Sequence, residues 1–244
     1  YVNVQNQSSK PEEDLKPSDP SYSMAVSCRV LLSVVSDDFL VVHHQNAIRS
    51  LVTIFCTDET ATVNFFNEFM ILFLEHIKKH KNAEYVSLLC KVCSEAPSDW
   101  IMYYTNEIID LLKTLWSTSL LSVTLDLIPI LANVVADRFS SFLPECATFL
   151  LDTLFTNRTS NVDISHKVIV ALISLKNISS DYLFLIFPEL VEVLTLPTTL
   201  SEVRLDSLIA LRVLVQCVDC AVFSASIIRS VISCIQLDDN VLQH

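Results

Sequence analysis

The chain has 244 residues, 51% of them hydrophobic and 18% charged, with no glycine and a formal net charge of −12. Glycine supplies positive φ in hairpin turns and lets a backbone approach a phosphate closely, so its absence excludes P-loops, dinucleotide-binding loops and nucleophile elbows. The 16 basic residues are scattered along the chain. Duplex nucleic acid requires a basic stripe, so we expect no nucleic-acid binding.

Residues 1–21 have the composition of a disordered linker or tail. Prolines alternate there with Lys, Glu, Asp and Ser, and few apolar side chains are present to offset the entropy cost of ordering. From Tyr22 onward the pattern is helical, which predicts a folded region over 22–244. Because the sequence begins at Tyr1 rather than at methionine, we expect it to be an excerpt of a longer chain.

The folded region repeats a pair of helices. The first helix of each pair carries aromatic or aliphatic residues, then Asn or Pro, then a glutamate, and the four clear copies have their glutamates at Glu68, Glu107, Glu145 and Glu189. A fifth, weaker copy begins near Val222. The second helices are predicted at 83–96, 118–137, 161–178 and 200–219. Helix pairs that repeat about every 40–47 residues are typical of HEAT and armadillo arrays, and HEAT is favoured because armadillo repeats add a third helix and place glycine in their turns. The sequence therefore predicts an all-α fold, an α-solenoid (ARM-like superhelix) of about five HEAT-type antiparallel helix pairs.

Two apolar stripes at helical spacing are expected to face the core. One consists of Tyr182, Leu185, Ile186, Leu190 and Val193, and the other of Leu205, Leu208, Ile209, Arg212 and Val215. Three prolines, at positions 129, 144 and 188, are expected in mid-helix, where they would kink the chain. Asp and Asn are expected to replace glycine in the turns, as at 57–59 and 157–159.

Two Cys-x-x-Cys pairs, Cys90/Cys93 and Cys217/Cys220, are candidate metal ligands. They are separated by 123 residues, whereas a zinc ribbon brings two such pairs within about 15–20 residues. Both pairs lie in apolar patterns read as helical, which favours buried, reduced cysteine in a reducing, intracellular compartment. His43 and His44 are adjacent and would face different sides of a helix or sit in a turn, so we expect no metal site.

The remaining charged groups have structural interpretations. The basic cluster Lys78, Lys79 and Lys81 is typical of a helix C-terminus, where cations complement the macrodipole. The repeated glutamates lie on a structural motif, so we expect solvated or capping roles. A kinase centre needs a glycine-rich loop and an Asp-Phe-Gly metal site, and we therefore expect no catalytic and no cofactor-binding residues. The longest uncharged run, 114–125, has twelve residues. A membrane-spanning helix needs about 20, so we expect no transmembrane segment.

The segment 25–55 resembles part of the HEAT region of the TOR (target of rapamycin) serine/threonine kinases. It contains a helix, a short acidic turn, the His43–His44 doublet and a helix that ends in Val-Thr-Ile-Phe. Later landmarks resemble the family in the same order, namely 142–145 (Phe-Leu-Pro-Glu), 181–183 (Asp-Tyr-Leu), Pro188, 196–197 (Leu-Pro), 225–231 and Asp238. The resemblance covers about residues 22–244. One departure is Ala136-Asp137, which occupies a turn where the family commonly has glycine.

The resemblance implies a non-catalytic scaffold segment, N-terminal to the FAT and kinase domains of a large serine/threonine protein kinase related to lipid kinases. It also implies dimerisation, docking of a Raptor-type accessory subunit in growth and nutrient signalling, and a cytoplasmic location that includes endomembrane surfaces reached through the parent complex. Periodicity alone predicts only a protein-binding α-solenoid. It leaves open a HEAT scaffold of another class, such as a nuclear transport receptor or a phosphatase scaffold, and the net charge of −12 is compatible with the former. Partner-binding residues are unknown at this point.

Overall fold

A computed structural model describes residues 20–177, 183–217 and 220–242. The regular elements of these ranges are helices, and no β strand occurs in them. The α-helices are α1 Pro20–Ser36, α2 Val41–Thr57, α3 Glu59–His80, α4 Ala83–Glu95, α5 Ser98–Tyr103, α6 Thr105–Leu115, α7 Leu121–Val134, α8 Ala136–Phe139, α9 Leu143–Asn157, α10 Val162–Ser174, α11 Leu183–Thr195, α12 Ser201–Val215 and α13 Ser224–Leu242. Short 3₁₀ turns lie at Asp38–Leu40, Ser140–Phe142, Leu175–Asn177 and Ala221–Phe223. Residues 1–19 of the predicted linker are outside the described residues, and the linker stays a prediction.

The chain divides into two compact units, Tyr1–Pro97 and Ser98–His244. In the first unit α2 packs against α1, α3 and α4, and α1 also packs against α3. The α2–α3 connection is a single residue, Asp58, whose carboxylate accepts a hydrogen bond from the Ala61 N–H at 2.8 Å and caps α3. So short a link keeps the two helices next to each other, and they pack together.

The second unit contains two rows of packed helices. One row consists of α7, α10 and α12, the other of α9, α11 and α13, and the rows are joined by the pairs α9–α10 and α11–α12. Each helix thus packs against its hairpin partner and against its equivalent in the next pair, which is how a solenoid builds a continuous core. The all-α solenoid prediction is confirmed in this form, while a single array of about five repeats stays a prediction.

The repeated motif places its aromatic and aliphatic residues in the core. Its aromatic and aliphatic positions are at most 6% exposed, as seen at Phe65, Phe66, Tyr104, Phe142, Leu143, Ile186 and Phe187. Tyr103 is the exception at 71%. The glutamates that follow are exposed at 68, 107 and 145 and half-buried at 189. Their position agrees with the solvated interpretation of the sequence.

Lys81 occupies a left-handed backbone position at which glycine is usual. It ends α3 with φ 44° and ψ 51°, and its N–H donates to the Ile77 carbonyl at 2.9 Å. Glycine is the usual residue for this left-handed C-terminal position. Lys81 is the one residue with positive φ among those described. A side chain with a Cβ costs roughly 1–2 kcal/mol there.

Two expectations about particular positions were wrong. Pro144 lies in the first turn of α9 rather than in mid-helix, where its missing N–H would be unpaired in any case. Pro129 and Pro188 do lie inside α7 and α11. The stretch predicted as one helix at 118–137 is divided, because α7 ends at Val134 and α8 begins at Ala136.

The two apolar stripes were only partly correct. In α11 the side chains of Ile186, Leu190 and Val193 are buried, but Leu185 is 56% exposed and Tyr182 lies outside the described residues. In α12 the predicted stripe faces outward, and the core face consists instead of Val203, Arg204, Ser207, Ala210, Leu211 and Leu214. Apolar residues occur on both sides of α12, so periodicity could not choose between them.

Candidate interaction surface

The most exposed large apolar side chains of the first unit lie together in the sequence. Phe39 is 97% exposed and Val42 is 87% exposed, with Val41 at 49% and Leu40 at 36% between them. We call Phe39, Leu40, Val41 and Val42 the apolar patch. Single exposed apolar residues are ordinary, whereas a contiguous group often marks a binding surface.

Local hydrogen bonds hold the patch outward. The Asp37 carboxylate accepts from the Phe39 N–H at 2.9 Å, and the Asp37 carbonyl accepts from the Leu40 N–H at 2.9 Å. These bonds form a tight turn that starts α2 immediately afterwards. The first buried residue of α2 is His44, so the patch precedes the part of the helix that enters the core.

Charged groups lie beside the patch. The Lys79 ammonium is 2.8 Å from the Asp38 carboxylate, and both side chains are largely exposed. This hydrogen bond, followed by the charge of Lys79, lowers the pKa of Asp38. The predicted helix-terminal role of the lysines agrees with the structure, because Lys78 and Lys79 lie in the last turn of α3.

Exposed apolar side chains also lie on two helices of the second unit. On α12 the exposed fractions are 58% for Leu205, 51% for Ile209 and 42% for Val215, and on α13 three isoleucines, Ile228, Ile232 and Ile235, are 51–60% exposed. This unit also has a wide-open depression of about 530 Å³ lined by Trp116, Pro144, Glu145, Thr148, Phe149 and Asp152. The Trp116 and Phe149 rings stack within it, with centroids 3.9 Å apart.

The cysteine pairs behave differently from each other. Cys90 and Cys93 lie on α4, and Cys93 is buried. The other pair was wrongly placed in a helix: α12 ends at Val215, and Cys217 is exposed. The interpretation as a buried hydrophobe therefore holds for Cys93 but not for Cys217.

The adjacent histidines face different sides, as expected: His43 is exposed and His44 is buried. The sequence reasoning did not connect His44 with α3. The structure places it beside His76 and His80, and one possible ligand nitrogen of each lies within 4.8 Å of the others. The signal that could have revealed the group is the spacing of His76 and His80, since histidines four residues apart share one helix face.

No helix in the described part of the chain is long and apolar enough to cross a membrane. Comparison with known proteins relates the chain to one family. The family model described as "Serine/threonine-protein kinase mTOR domain" matches residues 2–94. The serine/threonine-protein kinase tor1 of Schizosaccharomyces pombe is 25% identical over 179 residues, which cover 72% of this chain and 8% of that protein. These similarities confirm the resemblance to an N-terminal region of the TOR kinases. The chain spans less than a tenth of this relative's length, and the match of the family model includes the apolar patch.

Proposed function

We propose that this chain, which is similar to an N-terminal region of the TOR kinases, is a non-catalytic HEAT-repeat scaffold segment of a TOR-like serine/threonine protein kinase. In this proposal it mediates dimerisation and docks a Raptor-type accessory subunit. The kinase centre lies in another part of the parent protein, which works in the cytoplasm and reaches endomembrane surfaces through its complex. The chain itself binds proteins and no nucleic acid.

The apolar patch is the observation that carries the docking role. Fully burying a phenylalanine or valine side chain contributes roughly 1.5–3 kcal/mol. Phe39 and Val42 start almost wholly exposed, so a partner that covers both gains on the order of 3 kcal/mol or more. That corresponds to about a 100-fold change in affinity, because each 1.4 kcal/mol is tenfold. The patch lies inside the segment that matches the family model.

Crosslinking of the full-length protein with its co-purified subunits tests the proposal. Lys79 is a suitable reporter because its amine is bonded to Asp38, next to Phe39. We expect amine-reactive crosslinks from Lys79 to a second copy or to an accessory subunit, located by mass spectrometry. If lysines elsewhere in the protein form intermolecular crosslinks and those at 78, 79 and 81 form none, the docking role fails and a spacer role remains.

A matched pair of variants sharpens the test. We expect Phe39→Ser with Val42→Ser to weaken the crosslinked contact about 100-fold. Ile71→Ser is the control, because Ile71 is 49% exposed on α3 of the same unit and is not part of the patch. Equal subunit content and equal oligomeric state in all three proteins would refute docking through the patch.

A further inference from the structure

Three histidines converge where α2 packs against α3. His44 lies in the first turns of α2, and His76 and His80 lie one turn apart at the end of α3. Nδ1 of His44 is 2.9 Å from Nε2 of His76. The ring centroids of His76 and His80 are 4.5 Å apart, and one nitrogen of each histidine lies within 4.8 Å of the others.

A backbone carbonyl determines which nitrogen of His44 donates a hydrogen bond. Its Nε2 is 2.8 Å from the carbonyl oxygen of Asp37. A carbonyl only accepts hydrogen bonds, so Nε2 carries the proton and donates. Nδ1 then carries the lone pair and accepts a hydrogen bond from Nε2–H of His76 at 2.9 Å. A metal ion bound between the two nitrogens would take the place of this proton, which would move to the other nitrogen of His76. A histidine that donates one nitrogen to a backbone carbonyl and offers the other is oriented as metal-bound histidines are.

His76 is held in place by its surroundings. It is 8% exposed, and its ring contacts those of His44, His80 and Tyr85. His80 is exposed and opens the group to solvent.

We propose that His44, His76 and His80 bind a divalent transition-metal ion of the zinc class. Imidazole nitrogen is a preferred ligand of such ions. Two nitrogens about 2.0–2.1 Å from a tetrahedral zinc ion are about 3.3 Å apart. The 2.9 Å between His44 and His76 is already close to that value. The largest separation in the group, 4.8 Å, closes by about 1.5 Å when the exposed His80 ring turns inward.

The fourth position belongs to a water molecule, because no Cys, Asp or Glu of the described residues joins the three histidines. Lys79 and Asp38 lie at the margin, and their ion pair offsets the cationic charge of Lys79. The Tyr85 ring packs edge-on against His76, with centroids 5.7 Å apart. The ion would tie α2 to α3 and, through the Asp37 carbonyl, to the turn before α2. This inference reverses the absence of metal predicted from the sequence.

Measuring zinc binding to the full-length protein distinguishes the proposed zinc site from the absence of metal predicted from the sequence. The protein is stripped with a chelator, then equilibrated with zinc chloride, dialysed and measured for bound zinc by elemental analysis. We compare the parent sequence with His80→Ala, which removes an exposed ligand and leaves the core intact, and with His43→Ala. His43 is the matched control because it is exposed on the same helix as His44 and lies outside the group.

We expect His80→Ala to lose one zinc per chain. Its zinc affinity should fall by at least about 100-fold, because changing a residue that only supports a metal ligand already lowers metal affinity by up to about 100-fold. His43→Ala should keep the zinc of the parent sequence. Zinc should also slow hydrogen exchange in α2 and α3 of the parent sequence and leave exchange in His80→Ala unchanged. Equal zinc content and equal exchange in His80→Ala and the unmutated protein would overturn the proposal and leave three neighbouring histidines without a metal.

Discussion

Phe69→Ala tests whether the core of the first unit is organised around one aromatic cluster. Phe69 has no solvent exposure. Its ring centroid lies 4.9 Å from that of Phe55, 6.4 Å from that of Phe66 and 5.1 Å from that of Phe73. The cluster joins α2 to α3, so removing the central ring should loosen both helices.

The expected loss follows from burial and ring contacts. Truncating a buried phenylalanine to alanine typically costs about 3–5 kcal/mol, because the core cannot fully close over the cavity. Aromatic pairs add roughly 0.5–1.5 kcal/mol beyond their area, so three such contacts keep Phe69 above the lower end of that range, at about 4 kcal/mol. Phe69→Leu keeps most of the volume and should cost about 1–1.5 kcal/mol.

Native-state hydrogen exchange of the amides of α2 and α3 measures this loss in the first unit alone. A loss of about 4 kcal/mol lowers protection of the slowest amides by roughly 1,000-fold, since 1.4 kcal/mol is a factor of ten. Phe39→Ala is the matched control in the same unit, because Phe39 is 97% exposed and its change should stay within about 0.5 kcal/mol. The reasoning is refuted if Phe69→Ala lowers protection less than tenfold, or if Phe39→Ala lowers it equally.

Two further predictions concern the turn at Lys81 and the cysteines. Lys81→Gly should raise the free energy of unfolding by roughly 0.5–1 kcal/mol, because the strain of a left-handed residue with a Cβ costs more than the added entropy of the unfolded chain. Lys81→Ala keeps the Cβ and should be neutral. An unchanged or lower melting temperature for the glycine variant would contradict this. In alkylation at pH 8 followed by peptide mass spectrometry, the exposed Cys217 should react first, and Cys146 should stay unmodified until the chain unfolds. Burial, followed by the charge of Glu145, raises the pKa of Cys146 to about 12. Little of the reactive thiolate therefore forms at Cys146. Comparable native labelling rates at the two cysteines would show that this assignment is wrong.

The fold was predictable because its signals are local. The four motif copies ending at Glu68, Glu107, Glu145 and Glu189 each predict a helix, and the structure has a helix at every one. What stayed unpredictable is which face of a two-sided apolar helix is covered. Leu205 and Ile209 on α12 matched the helical period as well as the residues that are buried, yet they are exposed. The neighbours of a helix, which periodicity does not reveal, make that choice.

The sites were less predictable than the fold because they depend on pairings across helices. His44 is 32 residues from His76, and only the packing of α2 on α3 brings the two together. The exposure of Phe39 also depends on the turn that Asp37 makes. The sequence alone presented Phe39 as one more apolar residue between two helices.

The turn from Asp37 to Val42 connects the two proposals without making them equivalent. The Asp37 side chain holds the turn, its carbonyl orients His44, and the patch follows at once. A bound ion would restrict the turn and reduce the entropy that docking must overcome, so occupancy of the histidines should favour docking. By linkage, docking should favour zinc binding by the same factor. The three proposed zinc ligands lie outside the patch, however, so zinc binding measured without a partner does not depend on the patch side chains. His80→Ala should therefore lower both zinc content and docking, whereas the double serine variant of the patch should lower docking and leave zinc content unchanged. If His80→Ala lowered zinc content and left docking unchanged, the turn would not transmit the effect of the ion.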